Sequence, residues 1–134
     1  MAEKSENSPK SDSLRKMQSA VKQITEERGW QKYHNPKNMA MDLVREASEA
    51  LDHLVWDQGS EVLEDEEKKA AIGKELADVL HSLLLFTDAM ELDLTEEFWT
   101  KLEEVKQRYP VEEIYGQSGY EYKRRQRKKV KAEI

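Results

Sequence analysis

The chain has 134 residues, 37% apolar and 37% charged, with a formal net charge of −6. That length suits one domain, and so lean an apolar share calls for long helices and association between subunits to bury enough surface. With no cysteine, the sequence excludes disulfides, thiolate metal sites and a cysteine nucleophile, and it fits a reducing, cytoplasmic setting.

The mean hydropathy is −0.93. No apolar run approaches the roughly 18 residues that a membrane span needs. Residues 1–13 are polar and lack the hydrophobic segment of a secretory signal. Only five Gly and three Pro are present, too little turn material for a many-stranded sheet. The charge is uneven, because Lys123–Lys131 holds seven of the 22 basic residues. The body before it is strongly acidic, which disfavours general nucleic-acid binding except through that tail.

Residues 1–10 read as disordered. Asp12 or Ser13 can cap a first helix to about Arg28, with Leu14, Met17, Val21 and Ile24 at helical spacing. Gly29 ends it. Trp30–Asn38 (WQKYHNPKN) reads as a loop that leads into a second helix, with Asn35 as N-cap and Pro36 in the first turn. This helix is expected to run to about Trp56, and Asp57–Ser60 to turn. A third helix spans about Glu66 to Met90. Its stretch Leu76–Phe86 is apolar nearly all round, so it should lie deep in a bundle. Asp93 with Glu96 resembles a capping box for a fourth helix to about Tyr109, which Pro110 stops. Val111–Tyr122 reads as irregular, and the basic tail follows. The expectation is an all-α, four-helix bundle domain over 11–116 and a disordered basic extension over 117–134.

The chemistry is concentrated on the second and third helices. At about 100° per residue, Asp42, Glu46, Glu49 and His53 share one stripe, beside an apolar stripe of Met39, Leu43, Ala47, Ala50 and Leu54. The third helix repeats the arrangement with Glu75 and Asp78. Glu46-x-x-Glu49 and Glu75-x-x-Asp78 each set two carboxylates on adjacent turns. Four close carboxylates repel one another unless a cation lies between them. All-oxygen donors select a hard cation, Mg²⁺ or Mn²⁺. Neither motif has a His three residues after a Glu, which argues for phosphate handling over di-iron chemistry. Spacing alone is weak support, since an acidic chain yields such pairs by chance, and Glu61/Glu64 and Glu64/Glu67 read as solvated. Glu75 and Asp78 carry more weight because they stand where the third helix turns apolar.

Three segments, WQKYHNPKNMAMDLVREASEALDHLVW, KELADVL and KLEEVKQRYPVEEIYG, together resemble the MazG-like all-α nucleoside triphosphate pyrophosphohydrolases, in their dCTP pyrophosphatase branch. The likeness covers about Glu26–Gly116. The family's E-x-x-E … E-x-x-D signature is matched by Glu46, Glu49, Glu75 and Asp78. The resemblance implies hydrolysis of a (deoxy)nucleoside triphosphate, such as a pyrimidine dNTP, to monophosphate and pyrophosphate. It implies Mg²⁺ on those four acids, with Mn²⁺ as a substitute, and assembly as a dimer or a dimer of dimers.

The resemblance also places Trp30 and Trp56 beside the base, and His34 at a pocket position. Lys37 and Asn38 match the step before the second helix. Lys101, Arg108 and Tyr109 match the C-terminal basic and aromatic motif. Ser82 stands where the branch carries Tyr, and Val105 where it carries Asn, so base preference is less legible than catalysis. Arg45 and Ser48 replace the small residues usual around the first acid pair, and both are expected to face outward. For each tryptophan the alternative is ordinary rim packing; for His34 it is a capping role; for the lysines it is a solvated charge. His53 and His81 read as packed or supporting histidines. The rival for the whole chain is a non-catalytic helical module of the same fold that binds nucleotide or protein.

Overall fold

The computed structural model describes residues 9–57 and 59–133. Expectations for residues 1–8, including most of the N-terminal stretch, lie outside them. The chain divides into two compact units, one up to Thr95 and one from Glu96. The boundary falls inside the span 11–116 that reads in the sequence as one domain.

In the first unit, α1 spans Pro9–Glu27, a 3₁₀ turn spans Gln31–Tyr33, and α2 spans Pro36–Asp52. A second 3₁₀ turn, Glu61–Glu64, leads into α3, Glu66–Ala89, and α4 begins at Leu94. Local chemistry sets these ends. Gly29 takes φ +62° after α1, a left-handed conformation that glycine adopts without a Cβ penalty. The Asn35 side chain accepts the Asn38 N–H at 2.9 Å, so the expected N-cap is present, with Pro36 just inside the helix. Asp65 caps α3 in the same way, through the Lys68 N–H at 2.9 Å. Asp93 accepts the Thr95 N–H at 3.0 Å in the first turn of α4.

α2 packs chiefly on α3, and α1 also docks on α3. Val21, Met39, Leu84 and Leu85 form the core, with Leu14, Leu80, Phe86, Ala89 and Leu94 packed around them. Two expectations change here. α2 closes at Asp52, four residues before Trp56: the Leu54 N–H turns back to the Leu51 carbonyl at 2.8 Å, a tightening that ends the helix. Burial of the apolar stretch of α3 is confined to its second half. Leu84 and Leu85 are buried, whereas Leu76 is exposed. Hydropathy marks a side chain that prefers to leave water, not the surface that covers it.

The second unit holds the rest of α4 (Leu94–Arg108), a short α5 (Val111–Ile114) and α6 (Gly119–Ala132). The disordered tail expected over 117–134 is corrected by α6. Ser118 caps it by accepting the Glu121 N–H at 3.2 Å, Lys, Arg and Gln are good helix formers, and Tyr122 gives it a buried anchor. The Tyr122 ring meets Tyr109 edge-on at 5.7 Å, and its hydroxyl donates to Glu113 at 2.6 Å. Among the described residues, no helix is long and apolar enough to cross a membrane.

Candidate functional site

The α2–α3 contact sets the two acid motifs face to face. Carboxylate oxygens of Glu46, Glu75 and Asp78 lie within 4.8 Å of one another. Glu46 and Glu75 are partly buried and Asp78 is exposed. The fourth acid is engaged differently: Glu49 Oε1 accepts a hydrogen bond from Arg45 at 2.8 Å. Arg45 also donates to Asp42 at 2.7 Å and to Glu46. Arg45 is exposed, as its position on the helix predicts. Its side chain is half exposed, but it is long enough to curl back along the helix to i−3, i+1 and i+4.

Two side chains brace the acids from beside them. Ser82, buried on α3, donates from its hydroxyl to Asp42 on α2 at 2.8 Å. His53 Nε2 lies 3.3 Å from Glu75 Oε1, also across the two helices. Electrostatics differ within the set. The Arg45 hydrogen bond holds the Asp42 carboxyl below its usual range. Burial pushes the Glu46 carboxyl up, with Arg45 opposing and Glu49, Asp42 and Asp78 adding to the rise. The three-acid group is all oxygen and partly desolvated, so it fits a hard divalent cation.

Known proteins resemble this chain in sequence and in fold. The dCTP pyrophosphatase 1 of Rattus norvegicus is 33% identical over 89 residues, 63% of this chain and 52% of that protein. The Mus musculus and Homo sapiens proteins of the same name are 32% and 30% identical over 88 residues. The chain thus spans about half the length of the curated relatives it matches. No protein-family model matches it. The crystal structure of a pyrophosphatase from Archaeoglobus fulgidus superposes with a TM-score of 0.66 at 31% identity, over 72% of this chain and 92% of that one. The chain belongs to the MazG-like all-α pyrophosphohydrolases.

The other residues that the MazG-like pattern singles out lie in both units. In the first, Trp30 follows α1 with the Arg28 guanidinium 5.6 Å from its ring centre. Trp56 is 94% exposed in the turns after α2. His34 closes the first 3₁₀ turn and is half-buried. Lys37 is exposed in the first turn of α2. The Asn38 side chain donates to the Tyr33 carbonyl at 3.4 Å. Asn38, Met41, Asp42 and Arg45 line an open hollow of about 380 Å³ beside the acids.

In the second unit, Lys101 pairs with Glu104 at 2.7 Å, Arg108 is exposed, and Tyr109 packs against Tyr122 with Lys123 over its ring. Two supporting roles are not assigned from sequence, those of Asp42 and Arg45 around the first acid pair, although Asp42 lies on the acid stripe. The supporting reading of His53 is consistent with its contact to Glu75. Ser82 read as a base-side position, yet its contact is with Asp42.

Proposed function

We propose that this protein hydrolyses (deoxy)nucleoside triphosphates to the monophosphate and pyrophosphate, with Mg²⁺ (or Mn²⁺) held by Glu46, Glu75 and Asp78. The observation that carries the reading is the convergence of those three carboxylates, from two helices, on one point. Pyrimidine dNTPs, dCTP first, are the proposed substrates, because the curated relatives are named dCTP pyrophosphatase 1. A cytoplasmic location and assembly as a homodimer or homotetramer belong to the same reading. Exposed Met41, Val44, Leu51 and Leu76 on α2 and α3 support the assembly.

A hard divalent ion in such a site neutralises phosphate charge and acidifies water. The chain's own residues do the rest. Glu46, Glu75 and Asp78 hold the ion and fix where the triphosphate lies. Glu49, outside the three-oxygen group, takes the proton of the water that attacks phosphorus at the α–β linkage. Trp30 and Trp56 offer aromatic faces for a base, and stacking on such faces is worth about 1–3 kcal/mol per base in single-strand binders. His34, Lys37 and Asn38 precede the acids on the chain and are assigned to substrate, as are Lys101, Arg108 and Tyr109. Lys and Arg suit phosphate oxygens through charge-assisted bonds.

The test is a panel of NTPs and dNTPs with Mg²⁺, scored for pyrophosphate against orthophosphate, with Glu75→Gln and Asp78→Asn as controls. Pyrophosphate release that both substitutions abolish supports the reading and ranks the bases. A folded protein that turns over no nucleotide overturns it in favour of a non-catalytic module.

A further inference from the structure

Arg45 occupies the acid site with a positive charge of the chain's own. Its guanidinium reaches Asp42 at 2.7 Å, Glu49 at 2.8 Å, and Glu46. Glu46 and Glu49 are two of the four signature acids. Glu46 is claimed twice, by Arg45 and by the group it forms with Glu75 and Asp78. A divalent ion in that group competes with the guanidinium for the Glu46 oxygens and repels it at short range. Asp42 is in a different position. Its Oδ1 faces Arg45, while its Oδ2 accepts the hydroxyl of buried Ser82. Asp42 is thus anchored to α3 and stays available to Arg45 when Glu46 turns away.

We propose that Arg45 is a resident counter-cation of the acid set. In the metal-free protein it neutralises Glu46 and Glu49, and it yields Glu46 to the incoming divalent ion while remaining on Asp42. The inference rests on the metal reading given above. Metal uptake is then an exchange, and apparent affinity is lowered by the Arg45–Glu46 ion pair that must open. Because Arg45 is half exposed, that pair is a weak one, and it lowers affinity by about two- to fivefold.

The experiment is calorimetric titration of Mn²⁺ into the metal-stripped full chain, for the wild type, Arg45→Met, Arg45→Lys and Asp78→Asn, with helicity checked by circular dichroism. The expected result is Mn²⁺ binding about two- to fivefold tighter in Arg45→Met, intermediate in Arg45→Lys, and weaker in Asp78→Asn. Wild-type binding with no gain in either folded Arg45 variant overturns the role of Arg45 and leaves the metal reading standing. No specific binding by the wild type overturns both. A second readout is taken on the wild type itself. The Arg45 Nε–Hε NMR correlation, identified by its loss in Arg45→Met, shifts when Mg²⁺ saturates the wild type. A correlation that Mg²⁺ leaves in place overturns the exchange.

Discussion

The Ser82 hydroxyl donates to Asp42 Oδ2 at 2.8 Å, a bond between α3 and α2 with its donor in the interior. It joins the two helices that carry the acids. Ser82→Ala removes the donor and leaves no buried group unpaired on α3. The expected cost is about 1 kcal/mol of stability, read from urea denaturation with an unchanged slope. A double-mutant cycle with Asp42→Ala should return a coupling of about 0.5–1.5 kcal/mol. Additive losses would show that the bond contributes nothing of its own.

Metal addition offers an independent check on the three-acid group. A ligand that binds only the folded form raises the melting temperature by mass action, by about 2.7 kcal/mol of apparent stability at a hundredfold excess over Kd. Mg²⁺ or Mn²⁺ should raise the melting temperature of the wild type. Glu75→Gln and Asp78→Asn should each suppress that rise while leaving the metal-free protein folded. An equal rise in both variants would place the ion elsewhere.

The two acids nearest Arg45 respond to pH with opposite signs. Glu46 is raised in the folded state, chiefly by burial, so its charge opposes folding at neutral pH. That cost is relieved as pH falls through its folded value and is gone below its ordinary value of 4.5. Asp42 is lowered, chiefly by the Arg45 hydrogen bond. It contributes stability above its ordinary value of 3.8 and loses it as pH falls through the lower folded value. Denaturation of the metal-free protein across the acid range should show the first effect before the second. Glu46→Gln should lack the mildly acidic gain, and Asp42→Asn should lack part of the loss at lower pH.

In the second unit, Tyr122 is buried, and its hydroxyl donates to Glu113 at 2.6 Å. Tyr122→Phe keeps the edge-on contact with Tyr109 and removes the bond to the exposed Glu113 carboxylate, with an expected loss of stability read from urea denaturation. The bond and burial raise the Tyr122 pKa, so its contribution is fully present below the ordinary value of 10 and is lost as pH rises through the folded value. The wild type should therefore lose more stability than Tyr122→Phe on alkaline titration, followed by far-UV circular dichroism.

Much of this was legible before the fold. Apolar spacing located α1 to α4, because side chains three and four apart share a helix face. Asn35, Asp93 and Gly29 marked helix ends, because capping geometry is local. The pairing of Glu46 with Glu75 and Asp78 followed from two matching stripes. The exposure of Arg45 follows from its angular position, but its three carboxylate contacts do not, because that position gives where a side chain leaves the helix, not where a long flexible one ends. The helix in the tail was missed because charge density suggested solvation, while Ser118 and Tyr122 supply a cap and an anchor. Exposed Leu76 shows that an apolar helix announces a need for cover without saying whether its own chain provides it.

His53 tests how finely the acid site is positioned. Its Nε2 lies 3.3 Å from Glu75 Oε1, across from the helix that carries Glu75. The Glu75 carboxylate is in contact with the ring, and both side chains are partly buried. A carboxylate held this way loses fewer orientations when it takes up a metal, and removing such a partner from a metal ligand typically costs about 10–100-fold in affinity. His53→Leu should therefore weaken Mn²⁺ binding on that scale and lower activity in proportion. His53→Gln, which keeps a donor at a similar reach, should recover most of the binding. If His53 served packing alone, the bulky apolar Leu would retain metal affinity better than Gln, so the order of the two variants decides between the roles.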